Sequence, residues 1–216
     1  MKKNLIFIGI IGILIIAGIF YWKSLTEEEK IPEEITMPKK LEGKKVVMIV
    51  AFRNFRDEEY FIPKEILESA GAEVKTASNK KGTAIGADGG DVQVDFLVSE
   101  VNPAEFDAIV FIGGPGCLEN LDNEDSYNLA QTTVSQNKVL ASICISPAIL
   151  AKAGVLKGKR ATVWSSALDK STIEILEENE AIYEDKSVVQ DGKIITANGP
   201  GAAKKFGQKI VELLTE

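Results

Sequence analysis

The chain of 216 residues contains no histidine. Histidine is the usual general base beside a catalytic serine or cysteine, and it is the commonest side-chain ligand of metals such as zinc. Its absence excludes a Ser-His-Asp triad, a Cys-His pair and any His-ligated zinc site. Cysteine is also scarce, because Cys117 and Cys144 are the only two. Two cysteines are too few for a disulfide framework or a structural zinc site.

Basic residues are outnumbered by acidic ones. The chain has 25 Lys+Arg against 32 Asp+Glu, a formal net charge of -7 and a pI near 4.9. Because nucleic-acid binding needs clustered basic residues, we expect no nucleic-acid partner. The phosphate-binding signature G-x-x-x-x-G-K-[ST] is missing as well, and we predict no cofactor and no metal. With 45% hydrophobic residues, the composition is that of a folded globular protein.

Near the N-terminus lies one long hydrophobic run. After a short tail, 1–4, residues 5–22 are uncharged and mostly apolar. As a helix they would reach roughly 27 Å, close to the thickness of a bilayer core. We therefore predict a transmembrane helix or signal anchor there. Lys2 and Lys3 favour a cytosolic N-terminus, which predicts a single-pass membrane protein with an extracytoplasmic domain. Secretion after cleavage of a signal peptide is the alternative.

A charged segment, 23–44, follows the hydrophobic run and is interrupted by Pro32 and Pro38. This composition predicts a solvated tether. The domain is expected to occupy 45–216.

Short β-branched runs alternate with helical patterns along the domain. Predicted strands cover 45–51, 73–76, 106–112, 139–143, 161–164, 187–190 and 193–197, predicted helices cover 58–70, 126–137, 147–153, 170–177 and 202–214, and a hairpin is expected within 80–98. This alternation predicts an α/β fold with a mainly parallel sheet and helices on both faces. In such sheets the functional site lies at the carboxyl ends of the strands.

Cys144 stands where a predicted strand turns directly into a helix. Pro147 suits the first turn of that helix. The helix dipole would favour a thiolate at Cys144, and the following backbone N–H groups would be placed to hold an anion. The alternative is a small buried cysteine that serves only packing.

Two other loops are expected at the same edge of the sheet. Gly113 and Gly114 follow a predicted strand, and their N–H groups would suit an oxyanion hole, although an ordinary turn is the simpler interpretation. The acidic run Asp57-Glu58-Glu59 follows the first strand, and such a run is also normal for the start of a helix. If protonated, a carboxyl group of this run would hydrogen-bond the Cys144 sulfur. Cys117 is a possible second thiol that would pair with Cys144, or a packed cysteine that begins a helix.

Taken together, these loops resemble the ThiJ/PfpI family over 45–216. The resemblance rests on the turn at Cys144, the Gly113-Gly114 pair, Glu59 four residues before Pro63, and a run over 194–201 similar to the family's T-S-R-G-P-G stretch. It implies a flavodoxin-like three-layer sandwich that assembles as a homodimer or a higher homo-oligomer.

The same resemblance assigns roles to individual residues. It implies that Cys144 is the reactive thiol, that Glu59 is its protonated partner, and that the backbone N–H groups of Gly114 and Ile145 are oxyanion donors. Many members carry histidine after the cysteine, where this chain has Ile145. Asn198 stands where the family's T-S-R-G-P-G stretch has arginine, so this position has no guanidinium group to bind an anion.

These departures narrow the expected function. Without an imidazole, a Cys-His peptidase of the PfpI type is disfavoured. The resemblance leaves glyoxalase- or deglycase-type chemistry on a small carbonyl substrate, or a response to an oxidant in oxidative stress. A non-catalytic redox-sensing or interaction domain is the further alternative.

Overall fold

The computed structural model describes residues 40–216. The predicted tail 1–4, the predicted anchor 5–22 and the tether up to residue 39 lie outside the described residues. Between residues 40 and 216, no helix combines the length and the apolar character needed to cross a bilayer. Leu41, inside the predicted tether, is fully buried, and its N–H donates to the carbonyl of Ala70 at 2.8 Å. The last residues of that segment therefore pack with the domain.

A central sheet of seven strands organises the domain. From one edge to the other its strands are β11 (Val188–Asp191), β12 (Ile194–Ala197), β8 (Val139–Ile143), β7 (Ala108–Phe111), β1 (Lys45–Val50), β3 (Glu73–Ser78) and β6 (Phe96–Leu97). All neighbouring pairs are parallel except β11 with β12. The prediction of a mainly parallel sheet is confirmed.

Two small sheets flank the central one. The first contains β2 (Arg53–Phe55), β4 (Gly82–Gly86) and β5 (Asp91–Val94), and the second contains β9 (Arg160–Ala161) and β10 (Ile182–Tyr183). The antiparallel pairing of β4 with β5 confirms the predicted hairpin. The predicted strand over 161–164 is wrong beyond its first residue. There, the Trp164 N–H donates to the Cys144 carbonyl at 2.8 Å, so this backbone serves the turn after β8 instead of a strand ladder.

Helices cover both faces of the central sheet. They are α1 (Asp57–Ser69), α2 (Cys117–Leu121), α3 (Glu124–Ser135), α4 (Pro147–Lys152), α5 (Ser171–Glu178) and α6 (Ala203–Thr215). Alternate residues of β1 enter two separate cores, as the two-residue period of a strand requires. Val46 and Met48 pack with residues of α1 and α6, whereas Val47 and Ile49 pack with residues of α3, α4 and α5. The result is the expected flavodoxin-like three-layer sandwich.

The site is positioned by four neighbouring parallel strands. Strands β12, β8, β7 and β1 are adjacent and point the same way, so their carboxyl ends meet at one edge of the sheet. The loops that follow them carry the sequence features singled out above. This arrangement brings segments far apart in the chain within contact distance.

Candidate active site

Cys144 occupies a strained turn directly after β8. Its φ of +66° is left-handed, which is uncommon for a residue other than glycine. The Cys144 N–H donates to the Ala197 carbonyl at 2.9 Å, and its own carbonyl accepts from Trp164. Hydrogen bonds to the ends of two other segments therefore hold this conformation.

A buried serine braces the same turn. The Ser146 hydroxyl oxygen accepts from the Ile143 N–H at 3.0 Å. It also lies 2.9 Å from the carbonyl oxygen of Phe111 and 2.8 Å from that of Ile143, to either of which it can donate. Because Phe111 ends β7 and Ile143 ends β8, the hydroxyl ties the two strand ends beneath Cys144.

Glu59 brings a buried carboxyl group to this edge from the first turn of α1. Its Oε2 accepts from the Gly113 N–H at 3.1 Å, and within residues 40–216 its Oε1 has no hydrogen-bond partner. Burial raises the pKa of Glu59 to about 7, against smaller lowering effects of the Cys144 thiol and the Gly113 N–H. A carboxyl with this pKa is protonated in a large fraction of molecules near neutral pH, which is the state that the resemblance implies.

Gly113 is the point where the thiol and the carboxyl group meet. A Cβ atom at this position would lie 2.5 Å from the Cβ of Cys144 and 2.8 Å from Oε2 of Glu59. Any larger residue would push one of them away. The glycine is therefore needed for this approach, which an ordinary turn would not explain.

Backbone N–H groups surround the sulfur on another side. Gly114, with φ of +109°, and Ile145 each offer an N–H to the Cys144 sulfur, and both lower the pKa of the thiol. Burial and the neighbouring Glu59 carboxylate outweigh them and raise the pKa of Cys144. The expectation that a helix dipole favours the thiolate is therefore wrong. Helix α4 has only six residues, and burial of the thiol, followed by the charge of the neighbouring Glu59, outweighs it.

Cys117 lies on the opposite face of the sheet. It begins α2, is fully buried, and packs in the core formed with α3, α4 and α5, whereas Cys144 belongs to the other core. Burial, and then the charge of Cys144, raises the pKa of Cys117 well above its usual value. Both thiols are free in this structure. The geometry favours the packed interpretation of Cys117.

The other two carboxylates of the acidic run do not reach the thiol. Asp57 accepts hydrogen bonds from the N–H groups of Asp88 at 2.8 Å and Gly90 at 2.7 Å, which fastens the tip of the β4–β5 hairpin to α1. Glu58 is exposed. Of this run, only Glu59 faces the site.

A cavity of about 250 Å³ opens beside the sulfur. It is lined by Arg56, Gly114, Pro115, Cys144, Ile145, Trp164 and Pro200. The sequence interpretation missed Arg56 and Trp164. The one available signal for Arg56 was its position immediately before the acidic run, and Trp164 was assigned to a strand. Asn198 is absent from this lining, and its N–H donates to the Ser187 carbonyl at 3.1 Å.

Residues 40–216 contain no group of three or more His, Cys, Asp or Glu side chains arranged to hold a metal ion. The groups at and next to the cavity are the Cys144 thiol, the Glu59 carboxyl group, the Arg56 guanidinium group and backbone N–H donors.

Comparison with known proteins points to one family. The family model described as "DJ-1/PfpI family" matches residues 44–213. Deglycase PfpI of Pyrococcus furiosus is 34% identical over 168 residues, which cover 78% of this chain and 98% of that protein. The glutathione-independent glyoxalase DJR-1.2 of Caenorhabditis elegans is 28% identical, with 79% of this chain and 89% of that protein covered.

A solved structure agrees with these sequence matches. The ThiJ/PfpI domain protein from Brachyspira murdochii superposes with a TM-score of 0.75 at 36% identity. The match covers 79% of this chain and 95% of that one.

Proposed function

The chain belongs to the DJ-1/PfpI family, and on that premise we propose that it is a cysteine-dependent enzyme acting on small carbonyl compounds, with glyoxalase- or deglycase-type chemistry. The observation that carries the proposal is the buried Glu59 carboxyl group, with a pKa of about 7, next to the Cys144 thiol. A general base works best when its pKa lies near the working pH. The names of two relatives, a deglycase and a glyoxalase, agree with this class of reaction.

The first step is addition of the thiol to an aldehyde. The Cys144 sulfur forms a bond to the carbonyl carbon, the C=O π electrons move to the oxygen, and the thiol proton passes to the Glu59 carboxylate. In this proposal the N–H groups of Gly114 and Ile145 hold the developing oxyanion, which is supported by their position next to the Cys144 sulfur. Glu59 then passes its proton to that oxygen and becomes a carboxylate again. Because the base takes the proton as the bond forms, no resident thiolate is needed.

For a 2-oxoaldehyde the second step moves one hydrogen between adjacent carbons. The Glu59 carboxylate removes the proton from the carbon bound to sulfur, which gives an enediolate, and returns it to the neighbouring carbon. The hydroxyl proton of the first carbon moves to the oxygen of the second, so that a C=O bond forms next to the sulfur. The product is a thioester of Cys144. Water then cleaves the C–S bond and releases a 2-hydroxy acid and the free thiol. The sequence consumes one water and needs no oxidant, reductant or histidine.

Two alternatives receive less support from the same geometry. A peptidase must protonate an amine leaving group, and this chain has no histidine for that task. An oxidant sensor needs an accessible thiolate, whereas the Cys144 thiol is 8% exposed and has a raised pKa. General-base catalysis is compatible with both of these properties.

Membrane attachment and assembly complete the proposal. Residues 5–22 are proposed to anchor the domain outside the cytosol, with secretion as the alternative, and the domain is proposed to form a homodimer or higher homo-oligomer. Fractionation of cells after carbonate extraction tests the anchor. Recovery of the full-length chain in the soluble fraction would count against it.

The enzymatic proposal is tested with methylglyoxal. The purified full-length chain should convert it to lactate, and Cys144→Ser should reduce the rate by at least about a thousandfold, because the nucleophile is lost. Cys117→Ser is the matched control and should retain activity. A wild-type rate no higher than that of Cys144→Ser would refute the proposal.

A further inference from the structure

One charged side chain lies among the described residues that line the cavity beside Cys144. Among the described residues that line it, Arg56 alone is charged, while Ile145, Trp164 and two prolines make the rest largely apolar. The positive charge of Arg56 is felt at the thiol site, because it lowers the pKa of Glu59. A permanent cation therefore stands at the edge of a largely apolar cavity.

Contacts from the β4–β5 hairpin hold this cation in place. The Arg56 Nη1 lies 3.1 Å from Oδ2 of Asp88, and the Asp88 N–H donates in turn to Asp57 at 2.8 Å. The Arg56 side chain is 32% exposed. A guanidinium group has five N–H donors and stays charged at every physiological pH. The ion pair with Asp88 therefore positions the group and leaves it further donors for a ligand.

We propose that Arg56 makes this cavity selective for aldehydes that carry an anionic group, a carboxylate or a phosphate, close to the carbonyl carbon. The carbonyl carbon would lie at the Cys144 sulfur and the anionic oxygens at the guanidinium group. An arginine–carboxylate or arginine–phosphate pair is a strong, charge-assisted interaction, and the apolar walls reduce its screening. The inference rests on the proposed function, since it places the substrate at the same thiol.

Binding of glyoxylate tests the inference without turnover. Glyoxylate has an aldehyde next to a carboxylate, so addition of Cys144 stops at the hemithioacetal and no hydrogen shift can follow. Its neutral counterpart is methyl glyoxylate. Titration calorimetry on the full-length protein should show that glyoxylate binds about tenfold more tightly than the ester. The same comparison of glycolaldehyde phosphate with glycolaldehyde separates a phosphate preference from a carboxylate preference.

Variants of the two neighbouring arginines supply the control. Arg56→Gln should abolish the preference for the anionic ligand, and Arg56→Lys should restore part of it. Arg53→Gln removes the same charge from strand β2, three residues before Arg56, and should keep the preference. The Arg53 guanidinium lies over the Phe52 ring, 4.8 Å from its centroid, and Arg53 is not among the described residues that line the cavity.

The outcomes separate this inference from the proposed function. Equal affinities for the anionic and neutral ligands in the wild type, or a preference that survives Arg56→Gln, would overturn the role of Arg56. A preserved glyoxylate preference in a protein that does not turn over methylglyoxal would refute the glyoxalase proposal while supporting the anion selectivity.

Discussion

Cys117 and Cys144 follow neighbouring strands, β7 and β8, and both are at least nine-tenths buried, yet their surroundings differ. Cys117 is the first residue of a helix and faces a hydrophobic core. Cys144 lies in a left-handed turn, contacts a buried carboxyl group and borders a cavity. Burial and strand position are shared by both, so neither distinguishes a reactive thiol from a structural one. What distinguishes Cys144 from Cys117 is its left-handed turn and its contact with the Glu59 carboxyl group.

Selective alkylation gives the sharpest test of this comparison. Under native conditions iodoacetamide should modify Cys144 at least about a hundredfold faster than Cys117, because Cys144 borders the cavity and Cys117 becomes accessible only when the protein opens. Peptide mass mapping over time measures both rates. In denaturant the two rates should become similar, and comparable native rates would remove the distinction.

Glu59 predicts a large effect of pH on stability. The folded state holds the Glu59 proton up to a pKa of about 7, whereas the unfolded chain releases it near the ordinary glutamate pKa of 4.5. Between these pH values the unfolded state binds fewer protons, so the stability contributed by Glu59 falls as pH rises. The loss should reach roughly 3 kcal/mol above pH 7.

Urea unfolding of the wild type and Glu59→Gln at pH 5 and pH 8 measures this loss. The glutamine variant cannot titrate, so its stability relative to the wild type should increase between the two pH values. The opposite sign would show that Glu59 is stabilised as a carboxylate, and would leave the thiol without a base tuned to neutral pH.

Gly113→Ala should disrupt the close approach of Cys144 and Glu59. The new Cβ would overlap Cys144 and Glu59, and we expect a loss of about 2–3 kcal/mol in unfolding free energy together with most of the activity. Gly201→Ala is the matched control at the same edge of the sheet, because a Cβ there meets nothing within 4 Å. The measurements are the melting temperature and the methylglyoxal turnover of both variants. If Gly201→Ala lowered them as much as Gly113→Ala, a specific role for Gly113 would be contradicted.

Much of this arrangement was predictable from local sequence. The β-branched run over 45–51 and the glycines at 113 and 114 predicted two strand ends, and Pro147 predicted the helix after the turn at Cys144. Strands this apolar have few alternatives to the interior of a parallel sheet. The order of the loops along the chain then placed Glu59, Gly114 and Cys144 at one edge.

The remaining features depend on contacts between distant segments. Strand β2 has three residues and exists because it pairs with β4, and Arg56 is held by Asp88, 32 residues further along. The raised pKa of Cys144 reflects burial and a carboxyl group 85 positions away in the sequence, which outweigh the short local helix. Such effects are not encoded in a residue's immediate neighbours.

Activity should follow the ionisation of Glu59. Because the addition step needs the carboxylate form, kcat/KM for methylglyoxal should rise about tenfold between pH 6 and pH 8, with an apparent pKa near 7. Initial rates across this range, corrected for the uncatalysed reaction, give the profile. A flat profile would show that a proton transfer by Glu59 does not limit the reaction.

Cys117→Ala should change stability and activity least, and it tests whether Cys117 is a structural thiol. Removing a buried sulfur from the core leaves a small cavity, which should cost about 1 kcal/mol of unfolding free energy. The thiol borders no part of the cavity beside Cys144, so turnover should change by less than about twofold at saturating substrate. Cys144→Ala is the matched variant and should show the reverse pattern, with activity lost. If Cys117→Ala also lost activity, Cys117 would have to act with Cys144, and the two thiols would form one functional unit across the sheet.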